Sequence, residues 1–151
     1  TVGTWVIIVG TILIFVNALL AKKMPDFTGF ITIFIMGPCI DFWLWLFTNF
    51  NPANTVFRYA LLIFGLTLLA LGISVYLNAK FAPNPIDNLM LALHERLKLS
   101  MGVTKTIGEL LALVFALIVK GPIWIGTIIV TIGIGPIIQF FYPKIEKLVQ
   151  K

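Results

Sequence analysis

Apolar residues run through this chain in long stretches, interrupted at intervals by short polar groups. Five stretches come close to the ~20 residues that cross the hydrocarbon layer of a bilayer. Segment A runs from Val2 to Ala21, B from Phe27 to Phe50, C from Phe57 to Ala79, D from Val103 to Val119 and E from Ile123 to Tyr142. The breaks "KKMPD" (22–26) and "NPANT" (51–55) pair a proline with polar residues and end helices at an interface. "KGP" (120–122) is so short that D and E are expected to form an antiparallel pair. Between C and D, Pro85 and Asp87 suit a helix start, and Ile86, Leu89, Met90, Leu93 and Leu97 recur at helical spacing. This helix of about 13 residues is too short to span. Two placements are open: an amphipathic helix on the membrane surface, or a re-entrant half-helix with its N-terminus inside the bundle.

Composition makes the pattern decisive. Hydrophobic residues make up 60% of the 151 and charged residues 11%, with a mean hydropathy of +1.05. Soluble domains carry about 45 to 50% apolar residues, and this chain lacks the polar shell that would keep such an excess in water. A signal peptide does not account for it, because the runs recur along the whole length. The expected fold is therefore all-α: a polytopic transmembrane bundle with five spans in this chain. Because Thr1 is not a methionine and leads straight into an apolar span, upstream sequence and a sixth span are also expected.

Charge sets an expected orientation. Lys22, Lys23, Lys80, Arg96, Lys98, Lys105, Lys144, Lys147 and Lys151 fall on one side, against Arg58 and Lys120 on the other. The positive-inside rule puts the nine-residue side and the C-terminus in the cytoplasm, and Thr1 outside. Trp5, Trp43, Trp45 and Trp124 all lie in the outer halves of their segments, as an interfacial belt requires. The net charge of +5 is accounted for by topology and anionic headgroups, so no nucleic-acid partner is called for. The single cysteine, Cys39, excludes an intrachain disulfide.

A duplication is visible at a shift of 98 positions. Gly10 falls on Gly108, Ala18 on Ala116, Gly37 on Gly135, Pro38 on Pro136, Ile40 on Ile138 and Phe42 on Phe140, with Asp41 on Gln139. One residue of adjustment sets Gly29 on Gly126. Since C intervenes, the copies cross in opposite directions, which makes an inverted repeat, a common transporter plan. In domain terms, 1–151 forms one membrane domain in which 1–50 ends a first repeat, 56–142 is the second and 143–151 is a basic cytoplasmic tail.

Pro38 cannot donate to the carbonyl of Phe34, nor Pro136 to that of Ile132, and the glycine before each permits a bend. A freed carbonyl in lipid costs several kcal/mol unless satisfied, so each bend is expected to face protein or water. Asp41 and Gln139 follow by three residues and become candidates for binding a solute or ion. The alternative is that the prolines only shape packing and Asp41 hydrates near the interface. Glu109, four residues after Lys105, either pairs with it or points inward as a proton- or cation-binding carboxylate. Asp87 either serves its helix N-terminus or joins that cluster. Asn17 either hydrogen-bonds between helices or lines the site. His94 stands alone and fits a wet interface better than a metal site.

The stretch from Asn84 to Gln139 resembles the second half of the YczE/YyaS/YitT-type bacterial membrane proteins. Carrying the resemblance are Pro85, Asp87 and Leu89, then Ser100 and Gly102, Glu109, Gly126 with Thr127, and Gly135, Pro136 and Gln139. Asn84 stands where that family usually has glycine, and the family's first span is missing here. The resemblance implies a cytoplasmic-membrane protein of about six spans and supplies no substrate.

No Ser-His-Asp set, phosphate loop, HExxH or CxxC is present, so no enzyme, cofactor or metal is expected. Three functions remain: a secondary transporter or permease for a small solute or ion, with or without proton coupling; a non-transporting protein that docks a partner through Arg96, Lys98, Lys105 and the C-terminal tail; or the substrate-binding subunit of an energy-coupling transporter.

Overall fold

Each apolar segment forms one helix, and the short amphipathic segment forms a sixth. The computed structural model describes residues 1–22, 24–79 and 83–149. Lys23, Lys80 and Lys151, counted above for sidedness, lie outside the described residues. The helices are α1 (Val2–Ala21), α2 (Thr28–Leu46), α3 (Thr55–Asn78), α4 (Pro85–Leu97), α5 (Met101–Ile118) and α6 (Ile125–Val149). No strand occurs among the described residues. Five of them, α4 excepted, are long and apolar enough to cross a membrane.

Two boundaries differ from expectation by more than two residues. α2 ends at Leu46 rather than Phe50: the Thr48 hydroxyl donates to the Leu44 carbonyl at 2.9 Å and closes the last turn, while Pro52 disfavours a helical Asn51. α6 continues past Tyr142 to Val149 with Pro143 inside it, so residues 143–149 of the predicted tail are helical. Pro143 removes one ladder donor, and the Lys144 ammonium lies 3.3 Å from the centroid of the Phe140 ring in this turn.

Lysines take the left-handed conformation at three helix ends: Lys22 (φ 51°), Lys98 (φ 53°) and Lys120 (φ 55°). Glycine is the usual residue there, because a Cβ is crowded at positive φ. Replacing Lys120 with glycine is expected to stabilise the protein by about 0.5–1 kcal/mol, seen as a higher unfolding temperature. An unchanged or lower temperature would show that the lysine contributes more at the helix C-terminus than its backbone strain costs.

The helices form two compact units, Thr1–Asn54 with Ala82–Leu89 and Thr55–Phe81 with Met90–Lys151. α4 is shared, its first residues belonging to the first unit.

In the first unit α1 and α2 pack antiparallel with glycine opposite isoleucine. The contact face of α1 carries Gly3, Ile7, Gly10 and Ile14, and that of α2 carries Gly29, Ile33 and Gly37. A methyl group added at Gly10 would stand 2.8 Å from Ile33, and one at Gly29 3.4 Å from Ile14. Lipid tails are as apolar as these side chains, so close backbone approach and dispersion hold such a pair together.

In the second unit α6 is central. α5 lies antiparallel to it, while α3 runs parallel, with Leu62 near Gly126, Leu66 near Gly133 and Asn78 Nδ2 donating to the Tyr142 carbonyl at 3.2 Å. Leu66, Ala70, Ile73 and Leu77 recur at spacings of three and four and bury one face of α3 against Ile134 and Ile138, with Met90 and Met101 completing the core.

The outward faces are apolar too. Leu19, Phe64, Phe115 and Ile118 are each more than 60% exposed, far beyond the apolar patches a soluble monomer shows. Trp5, Trp43, Trp45 and Trp124 are all at least half-exposed near helix ends. Cys39 is also exposed, next to Pro38. This is an integral membrane protein.

Candidate functional site

The site grows from the start of α5. A helix leaves its first amide groups without partners inside the helix. Here Ser100 caps α5, its hydroxyl accepting from the Val103 N–H at 3.4 Å. The Gly102 N–H, one residue earlier, is satisfied from the neighbouring helix and donates to Gln139 Oε1 at 3.0 Å. This bond needs α5 and α6 close together, and glycine on both sides allows it. A methyl group added at Gly135 would stand 2.5 Å from the Gly102 carbonyl oxygen and would collide with Thr106 Oγ1, itself donating to that carbonyl at 3.0 Å. Beside this crossing lies a half-open cavity of about 360 Å³, lined by Ser100, Val103, Thr106, Ile107, Pro136 and Gln139 among others. Its walls are mainly apolar, with hydroxyl and amide groups as the orienting partners, the make-up of a small-solute pocket.

The first unit repeats the arrangement at the start of α1. Thr1 is the cap, its hydroxyl accepting from the Thr4 N–H at 3.2 Å. The Gly3 N–H donates to Asp41 Oδ1 at 2.9 Å. A methyl group added at Gly3 would stand 2.6 Å from Asp41 Oδ2 and would overlap the Gly37 carbonyl oxygen. A hydroxyl cap, a glycine two residues on, a Gly-Pro pair and a polar acceptor thus occur in both units, as Thr1, Gly3, Gly37-Pro38 and Asp41 and as Ser100, Gly102, Gly135-Pro136 and Gln139.

Two features of this device escaped the sequence reading. "TVG" opens the chain inside what reads as a span, and its match to "SMG" needs a shift of 99. In that register Gly10 no longer pairs with Gly108. Consistently, Gly10 abuts Ile33, whereas a methyl group at Gly108 would meet nothing within 4 Å among the described residues. The glycine of each Gly-Pro pair is buried against the adjacent helix, and α2 and α6 remain helical through Pro38 and Pro136, both of which are exposed. The glycines serve close approach as well as any bend.

The remaining candidates lie elsewhere. Asn17 is near the other end of α1, roughly 20 Å along the helix from Gly3. Its amide Nδ2 donates to the Pro85 carbonyl at 2.7 Å, and its Oδ1 is buried with no hydrogen-bond partner among the described residues. Asp87, two residues after Pro85, is only 3% exposed. Asn88 Nδ2 reaches Asp26 Oδ2 at 3.5 Å, so the first unit has a polar cluster where α1 ends and α4 begins. At the start of α4 Pro85 and Asp87 are buried, while Ile86 between them is exposed. In the second unit Glu109 pairs with Lys105 at 3.0 Å, and Lys105 is 6% exposed although it is a lysine. His94 Nδ1 contacts the Leu99 carbonyl. Arg96 and Lys98 are exposed at the end of α4. No group of three or more His, Cys, Asp or Glu side chains suited to a metal occurs among the described residues.

Several proteins are similar in sequence to this chain. The uncharacterized protein YyaS of Bacillus subtilis is 38% identical over 148 residues, 97% of this chain and 74% of the relative. The uncharacterized membrane protein YczE of the same organism is 30% identical over 146 residues, 95% of this chain and 66% of the relative. An uncharacterized protein of Haemophilus influenzae is 28% identical over 98 residues, 64% of this chain and 45% of the relative. The chain thus spans between about half and three quarters of the length of these proteins. No solved structure matches it. The model of one protein family covers residues 1–143, and the chain belongs to that family, the family of unknown function DUF6198.

Proposed function

We propose that the chain forms part of a secondary transporter for a small solute or ion in the bacterial cytoplasmic membrane, with its C-terminus in the cytoplasm. The observation that carries this reading is the duplicated crossing, in which a first-turn amide is held by a side chain lying three residues beyond a Gly-Pro pair. Helix N-termini and polar side chains set beside a Gly-Pro pair in each of two halves are features that inverted-repeat transporters use at their sites. Glycine-to-glycine crossings let helices shift against one another without large side chains in the way. A solute entering the cavity at Gln139 would meet one amide, two hydroxyls and apolar walls.

The carboxylates supply the coupling. Asp41 is the charged counterpart of Gln139, so the two halves hold equivalent amides with unequal charge. Glu109 beside the buried Lys105 is the second acid in the apolar region, and acids there are costly enough to mark ion pathways. The buried Asn17 Oδ1, with no hydrogen-bond partner among the described residues, adds an acceptor at the other end of α1.

Protein reconstituted in liposomes tests this reading. A pH gradient or labelled solute is expected to move with the native chain, and Asp41→Asn and Glu109→Gln are expected to reduce flux to that of protein-free vesicles. Asp41→Asn keeps an acceptor for the Gly3 N–H, so its unfolding temperature is expected to stay within a few degrees. Full flux in both variants would overturn the proposal. A docking role rests on the exposed Arg96 and Lys98, Lys105 being buried. It predicts the opposite result, loss of partner binding in Arg96→Ala with Lys98→Ala and indifference to both acid variants.

A further inference from the structure

A second cavity, of about 370 Å³, opens in the second unit between the first turns of α3 and α6, and nothing in the proposed transport mechanism uses it. Thr55, Arg58, Tyr59 and Trp124, all exposed, form its rim, and the half-buried Leu62 and Gly126 form its floor. Three features of the sequence and fold converge there. α3 and α6 run parallel, so both helices begin at this end and both bring the positive end of their dipoles to it. Neither first turn carries an acidic residue. Arg58, one of only two basic residues on its side of the chain in the proposed orientation, lies in the rim itself.

Charge alone would fit any anion, but the groove is graded. Its rim is cationic and hydroxyl-bearing, with Tyr59 and Trp124 rings 41% and 76% exposed, and its floor is aliphatic. Tyrosine and tryptophan are the residues of the headgroup level, one end apolar and the other wet. An arginine fork matches phosphate oxygens, and aliphatic floors match acyl chains. We propose that this groove binds one anionic phospholipid, its phosphate at Arg58 between the Tyr59 and Trp124 rings and an acyl chain along Leu62 and Gly126. In the orientation proposed above, this is a lipid of the outer leaflet.

The floor can be tested apart from the charge. Among the described residues a Cβ built on Gly126 would meet only Leu62 Cδ2, at 3.8 Å, an ordinary contact, so a larger side chain can be placed there without a backbone clash at its first carbon. The native chain and the Arg58→Gln, Arg58→Lys and Gly126→Leu variants would be placed in nanodiscs mixing phosphatidylglycerol with phosphatidylcholine, and retained lipid measured by native mass spectrometry after release. The native chain and Arg58→Lys are expected to retain one phosphatidylglycerol in preference to phosphatidylcholine. Arg58→Gln and Gly126→Leu are expected to lower that retention by about tenfold or more, the change that losing one charge-assisted contact or the acyl seat produces. Circular dichroism identifies any variant that fails to fold, and either of the two suffices. Equal retention by the native chain and both variants would overturn the proposal. So would displacement of the lipid by millimolar inorganic phosphate, which would make the groove a site for a dissolved anion.

Discussion

Gly135→Ala is expected to prevent the second unit from closing, a loss of at least about 2–3 kcal/mol, because one methyl group must occupy space already filled by the Gly102 carbonyl and the Thr106 hydroxyl. Backbone atoms make up half of that obstacle and have no rotamer to change, so α5 and α6 have to move apart. Separation lengthens the Gly102–Gln139 hydrogen bond and opens the packing around Ile134 and Ile138, the centre of the core. Gly3→Ala is expected to behave alike at the first crossing. The same substitution at Gly65, Gly72 or Gly108 would meet nothing within 4 Å among the described residues, and alanine is the better helix former by about 0.5–1 kcal/mol, so those variants should match or exceed the native chain. Thermal unfolding in detergent, followed by circular dichroism, separates the two groups. If Gly135→Ala melts with Gly108→Ala, the helices do not approach as closely as described.

The second large effect concerns the amide caps. Gln139→Leu keeps most of the side-chain volume and removes the acceptor of the Gly102 N–H, which is then left facing an apolar cavity. A buried donor without a partner costs about 1–3 kcal/mol, and hydrocarbon surroundings push towards the upper end. Asp41→Leu should cost a similar amount at Gly3, whereas Asp41→Asn and Gln139→Glu preserve an acceptor and should cost far less. The hydroxyl caps do not compensate, since Ser100 and Thr1 already accept from the following residues, Val103 and Thr4. Chemical denaturation of the four variants gives the comparison directly. Leucine at either position with native stability would mean that water, not the facing helix, satisfies those amides.

The helices were legible because lipid imposes one requirement on every spanning segment, a long apolar run that closes its own backbone hydrogen bonds. α1 and α4 match the predicted ranges end to end, their limits marked by "KKMPD" and by Pro85. Aromatic residues misled at the end of α2, where Phe47 and Phe50 are apolar enough to extend a run but lie outside the helix. Pro143 misled in the other direction, because one missing donor near a helix end is tolerated. Gly37, Pro38, Asp41 and their counterparts could be found by repetition. Their partners could not, since nothing in "TVG" or "SMG" shows which distant glycine will lie across from it. The burial of Lys105 was equally hidden, because a pattern of charges along α5 does not reveal how deep each lies.

The exposed thiol next to Pro38 has a practical consequence. With no second cysteine in the chain, a maleimide, nitroxide or fluorophore attaches at one defined place on the native sequence. That place is two residues from Asp41. Its accessibility to water-soluble and to membrane-confined quenchers would therefore report, without any engineered substitution, whether the first crossing opens towards solvent while a gradient is applied.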